Sequence, residues 1–171
     1  MPVHDTNKAL IAPLRAAFRS CDPRLVRQAV FDTFAPDAAI RLQYPFQDVQ
    51  GPEDLWTRVY APLFAAMPDL ERRDFIVMAG PRLGTDTPSD WVGLGGNFVG
   101  TFAAPWLGIP PTNAPVYMRY HEYLRIEDGK IVEMEGLWDI AQVMHQAHAW
   151  PMPDPSSGPG HIHSTPFWGG I

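Results

Sequence analysis

Arg119, His121, Tyr123 and Arg125 alternate along one stretch of this sequence, and Glu133, Glu135, Leu137 and Asp139 alternate along the next. Spacing of two puts each set on one face of a strand. An acid, an imidazole, a phenol and two guanidinium groups on adjoining strands are the parts of a proton-transfer site. Asp139 is the strongest candidate, because a positioned carboxylate works as a general acid or base. It also precedes a helical pattern and has Gln142 three residues on, the spacing of a capping box; the two roles are compatible. His121 could shuttle a proton or donate to an oxyanion, as imidazoles do, or be an ordinary core or interface residue. Tyr44 and Tyr123 could hydrogen-bond a carbonyl or simply pack. Arg119 and Arg125 could bind an acidic group, or pair across strands with Glu133 or Glu135. Trp56, Phe64, Phe98, Trp106 and Trp138 would be apolar walls of a pocket, or generic core. His161 and His163 form an HxH, and His145 and His148 lie three apart on a helical stretch. No carboxylate or cysteine accompanies either pair at ligand spacing, so no metal is expected.

These side chains need elements to position them. Leu10, Ile11, Leu14 and Phe18 repeat at helical spacing, with Pro13 kinking or restarting the helix. Asp22-Pro23 is a helix start, a cap followed by a residue with φ already set. A third helix begins near Gly51-Pro52-Glu53, carries the stripe Trp56, Val59, Tyr60, Leu63, Phe64 and Met67, and bends at Pro62. Strands follow over 75–78, 91–102, 115–126 and 130–138, the second softened by glycines and the last two joined by Glu127-Asp128-Gly129. A helix over 139–149 closes the pattern. Helices first and antiparallel strands afterwards predict an α+β domain over residues 1–153, its sheet curved around the helices as a cone with an open mouth. Residues 154–171 read as a Pro/Gly-rich tail, with Phe167 and Trp168 as docking anchors on this subunit or its partner.

The chain has 171 residues, 46% of them apolar, and a formal net charge of −6. That charge has the wrong sign for a nucleic-acid partner. No apolar run approaches the roughly 20 residues that cross a bilayer. The single cysteine, Cys21, excludes an internal disulfide and fits the cytoplasm. Val116, Met118, Tyr120 and Leu124 form an apolar stripe on the strand face opposite His121, which predicts a homodimer through that face of the sheet.

Four segments carry a family resemblance: YPFQDVQGPEDLW (44–56), GNFVG with WLGIPPTN (96–100 and 106–113), YLRIEDGKIVEMEGLWD (123–139) and the helix after it. Together they resemble the SnoaL-like polyketide cyclases, members of the nuclear transport factor 2-like cone folds. Phe98 stands where many members have histidine, and Glu135 where they often have tryptophan. The last helix runs on as QAHAWPMP in place of a Gln-Leu-Gly-like ending. The resemblance implies that the Asp139 side of the sheet is concave, and that Asp139 is the acid/base of an aldol-type ring closure needing neither metal nor cofactor. His121 and Tyr44 would then place a small or medium apolar carbonyl substrate.

Two alternatives stand beside this expectation. One is epoxide hydrolysis by Arg125, Asp139 and Glu135, since other cone folds activate water with a carboxylate and arginine network. The other is a non-catalytic ligand-binding or dimerisation module. A cavity with Asp139 pointing into it would speak for catalysis; a filled interior with Asp139 bonded only to helix amides would speak for the module.

Overall fold

The computed structural model describes residues 3–47, 49–82 and 90–151. The tail anchors Phe167 and Trp168 and the HxH pair therefore lie outside the described residues.

Pro13 restarts the helix rather than kinking it, since it has no amide to continue the first turn ladder. α1 spans Val3–Leu10 and α2 spans Ala12–Arg19, with Ile11, Leu14 and Phe18 buried. α3, Pro23–Thr33, is capped as expected: Asp22 accepts from the Arg24 amide at 2.9 Å. β1, Phe34–Arg41, was not foreseen as a strand; Pro36 and Asp37 interrupt its alternation and both are exposed. After the short β2, Val49–Gln50, the long helix opens at Gly51, whose φ is +70°. A Cβ there would sit 2.3 Å from the Pro36 carbonyl oxygen, so only glycine fits. That helix runs as α4, Gly51–Asp54, a π-helical stretch Leu55–Tyr60, and α5, Ala61–Ala66. Pro62 cannot donate to the preceding turn, and the wider π turn just before it accommodates the break.

β3 (Glu71–Gly80), β4 (Asp90–Thr101), β5 (Pro115–Glu127) and β6 (Lys130–Trp138) follow as an antiparallel meander. The β5–β6 turn places Asp128 at φ 48° and Gly129 at φ 75°. Two positive φ values are what a two-residue hairpin turn requires, and an Asp-Gly pair supplies them. The sheet order is β2-β1-β6-β5-β4-β3, an open curved sheet with β2 and β3 at its edges. It is not wholly antiparallel: β1 lies parallel to β6, a pair that no hairpin ties together. α6, Ile140–Gln146, continues along β5 where β6 stops. There Gln142 accepts from the Arg119 amide at 3.0 Å, while Gln146 accepts from the Tyr117 amide and donates to its carbonyl. Side-chain amides thus stand in for the missing strand partner. Among the described residues no helix is long and apolar enough to cross a membrane.

The sheet's polarity corrects an expectation. Alternation divides β5 and β6 as anticipated, but the opposite face is inside. Val116, Met118, Tyr120, Leu124 and Ile126 are buried under the helices, with Met134 and Trp138 of β6. Arg119, His121 and Tyr123 point outward, as does Leu137. The cause is the hydrophobic effect: each large apolar side chain gains roughly 1.5–3 kcal/mol on burial, whereas arginines would have to shed their hydration. The apolar stripe is therefore core and cannot be a dimer surface.

Candidate active site

One charged position interrupts the buried face of β5. Glu122 lies between Tyr120 and Leu124, pointing inward, and is 1% exposed. Its carboxylate accepts from Arg72 Nη1 at 3.0 Å and from Trp138 Nε1 at 3.0 Å. Arg72, also 1% exposed, comes from β3, 50 residues away in sequence. Its Nε donates to Asp74 Oδ1 at 3.1 Å, so Arg72 joins two carboxylates. Asp74 further accepts from Arg15 Nε of α2 at 2.5 Å and from the Tyr120 hydroxyl.

The backbone aims these groups. Arg72 and Asp74, two apart on β3, face inward, and a bulge between Asp74 and Ile76 then turns Phe75 and Ile76 out. Bulges re-aim side chains in this way next to functional sites. Gly96 of β4 lets β3 come close: a Cβ there would be 2.0 Å from the Arg73 carbonyl oxygen. Aromatic rings wrap the cluster. The Arg72 guanidinium carbon lies 4.4 Å from the Phe18 ring centre, and Phe98 meets Trp138 edge to face at 4.9 Å and lies tilted against Tyr120 at 5.0 Å between ring centres. Tyr60, from the π-helical stretch, lies 5.7 Å from Trp138.

The two acids are driven apart. Burial pushes the Glu122 carboxyl up, and the Arg72 charge and the Trp138 hydrogen bond only partly offset this. Burial also acts on Asp74, but Arg72, the Tyr120 hydroxyl and Arg15 outweigh it and hold that carboxyl below its ordinary value. Burial raises the Tyr120 and Tyr60 phenols, so both remain protonated donors. A carboxyl whose charge is disfavoured by burial, beside one that stays charged, is a pairing by which acid/base sites divide their work. Buried ions are costly to desolvate, and such groups concentrate where chemistry is done.

The expected site residues divide between the two sides of the sheet. Phe98 and Trp138 line the buried cluster. Trp106 is buried against Phe46 at 6.2 Å, and half-buried Trp56 packs on Phe64, also at 6.2 Å. Asp139, His121 and Arg119 do come together, with Gln43 and Leu137, around a cleft of about 460 Å³. That cleft opens on the outer face. Asp139 accepts from the Gln142 amide at 3.0 Å, so it caps α6. The reciprocal half of a capping box is missing, because the Gln142 side chain is turned to β5. Tyr44 is 79% exposed on a loop, and Tyr123 lies over Gly93 on the outer face. Arg125 binds Glu133 and Glu127, each at 2.9 Å, and Glu135 binds Arg41 at 3.1 Å. The acid–arginine–acid array is therefore built from Asp74, Arg72 and Glu122, not from Asp139, Arg125 and Glu135. One sequence signal pointed to it: Glu122 occupies an inward position in an otherwise apolar alternation. As a cap, Asp139 predicts that Asp139→Ala lowers stability by ~1 kcal/mol in denaturant melts while Asp139→Asn is nearly silent.

A family model described as SnoaL-like polyketide cyclase matches residues 11–147. No curated protein matches the chain. Among solved structures, a candidate SnoaL-like polyketide cyclase from Jannaschia sp. CCS1 is 23% identical, with TM-score 0.69 over 90% of this chain and 97% of that one. IdmH, a candidate polyketide cyclase from Streptomyces antibioticus, is 26% identical, with TM-score 0.64 over 82% and 97%. A protein of ketosteroid isomerase-like fold from Catenulispora acidiphila is 17% identical, with TM-score 0.58 over 84% and 97%.

Proposed function

The chain belongs to the SnoaL-like polyketide cyclase family, and we propose that it is a cyclase- or isomerase-type enzyme working by proton transfer on a small or medium apolar carbonyl compound. Glu122 is the acid/base. The observation that carries this assignment is its burial among aromatic rings with a fixed cation at one oxygen and an indole donor at the other. Similarity to IdmH, a candidate polyketide cyclase, supports the reaction class. In the reaction, Glu122 takes the proton from a carbon next to the carbonyl, and the C–H electron pair forms the enolate. Either the enolate carbon then attacks a second carbonyl, closing a ring and leaving an alkoxide that takes the proton back from Glu122, or the enolate is reprotonated by Glu122 at another carbon.

A direct test needs no knowledge of the product. Aryl ketones and 1,3-diketones incubated with the protein in D₂O should exchange α-hydrogen, read by NMR, faster than in buffer. If no carbonyl compound in a broad panel exchanges or turns over, the binding-module reading, which the capping bond of Asp139 to the Gln142 amide also favours, takes its place.

One observation favours a second reading, hydrolysis of an epoxide: Asp74 and Glu122 flank Arg72. Asp74 would activate water while protonated Glu122 gives its proton to the epoxide oxygen. Uptake of ¹⁸O from water into a diol would distinguish it.

We assign the chain to the cytoplasm and to a homodimer formed through the outer face of the sheet. There Ile76, Met78, Tyr117, Tyr123 and Leu137 are 41–62% exposed, an apolar set that a partner would cover. Light scattering should give a dimer at micromolar concentration, and Leu137→Glu should weaken it at least tenfold. A wild-type monomer would refute it.

A further inference from the structure

Arg72 has one arm to spare. Its Nη1 and Nε are held by Glu122 and Asp74, but Nη2 is buried and has no hydrogen-bond partner among the described residues. A guanidinium presents five donors and cannot shed its charge, and a buried donor left unmet is destabilising, more so when charged. Two carboxylates, an aromatic face and complete burial hold the group still, so the vacant donor has a fixed place. Nη2 belongs to the same planar fork as the nitrogen that holds Glu122, so an oxygen bound to it lies within one small group's reach of that carboxylate.

We propose that Arg72 Nη2 is the oxyanion donor of this site: it binds the carbonyl oxygen of the substrate and the enolate oxygen formed when Glu122 removes the α-proton. This rests on Glu122 being the base. The charges balance through the step. Before it, Arg72 faces the Glu122 carboxylate; afterwards Glu122 is neutral and the same guanidinium faces the enolate. The negative charge moves from one arm of the fork to the other, so the buried cation never loses its partner. Stabilising the oxygen where charge develops is the largest contribution in many such reactions. It also sets a requirement on the substrate: the carbonyl oxygen and the acidic C–H must lie on adjacent atoms and project from the same edge, as in an aryl ketone or a 1,3-diketone.

A phenolate is a stable mimic of that enolate, and 4-nitrophenol reports its ionisation by colour. The full-length protein should bind it as the yellow anion at a pH below the phenol's midpoint in water. Glu122→Gln, which imitates the protonated acid, should keep or strengthen that binding. Arg72→Lys retains a positive charge but lacks the fork, and should weaken it by about 10- to 100-fold. Binding of the neutral phenol, no binding at all, or equal phenolate affinity in folded Arg72→Lys would each overturn the assignment. Should Arg72→Lys not fold, the wild-type spectrum and the Glu122→Gln comparison still decide it. The two assignments fail separately. Phenolate held by Arg72 without any α-exchange would sink the Glu122 reading and leave the donor. Exchange that needs Glu122, with phenolate binding indifferent to Arg72→Lys, would sink the donor and leave the acid.

Discussion

Glu122→Gln should lose about 10²–10⁴-fold in α-proton exchange and turnover while remaining folded. Glutamine keeps the shape of the side chain and one oxygen to accept from Trp138 Nε1, but it cannot take up a proton. That oxygen must now serve Trp138 or Arg72 where two served both, so a cost of about 1–3 kcal/mol is expected. The sign of the pH effect checks that the right group was changed. A carboxyl held above its unfolded value by burial contributes stability below the unfolded pKa, and that contribution is lost as pH rises through the folded one. Glutamine does not titrate, so the variant's stability relative to wild type should improve with rising pH. In the wild type, activity should rise with pH as Glu122 ionises, and this acid limb should disappear with the variant. Full turnover in Glu122→Gln, with a loss of about 10²-fold in Asp139→Asn, would move the acid to the outer cleft.

Arg72→Leu should be the most damaging single change to the fold, costing about 3–5 kcal/mol, because it leaves a buried carboxylate without its cation. Asp74 still has Arg15 and Tyr120; among the described residues Glu122 would keep only the indole donor. Loss of the Arg72 charge raises both carboxyls, so the penalty should be larger near pH 7 than near pH 4, where both can be protonated. Replacing Arg72 and Glu122 together by leucine should restore much of the stability, since buried ion pairs are often replaced by apolar groups with little loss. Urea melts of the single and double variants across pH provide the measurement. A single-variant cost under about 1 kcal/mol would mean that the cluster is far more hydrated than its burial indicates.

Local signals were legible where local chemistry decides. Asp22-Pro23 announced α3, and Asp128-Gly129 announced the β5–β6 turn, because a cap and a pair of positive φ values depend on a few neighbouring atoms. Asp139 ahead of Gln142 announced α6 in the same way. Period-two spacing also sorted β5 and β6 correctly into two faces. It could not say by itself which face is inside. The resemblance pointed to the Asp139 face, whereas the weight of apolar side chains from Val116 to Ile126 pointed, correctly, to the other. β1 went unseen, because Pro36 and Asp37 blur its alternation and its pairing with β6 lies some ninety residues away.

The composition of the site was thus written in the sequence, but its assembly was not. An arginine and an aspartate two apart, and a glutamate within an apolar alternation, are each unremarkable alone. The tertiary structure makes them a site: the β3 bulge and the close approach at Gly96 bring Arg72 and Asp74 inward, and β4 spaces them from Glu122. Once enclosed by Phe18, Phe98 and Trp138, the three ionic groups lose water as an alternative partner and depend on one another. Long-range packing alone creates that dependence, and no span of a few residues encodes it.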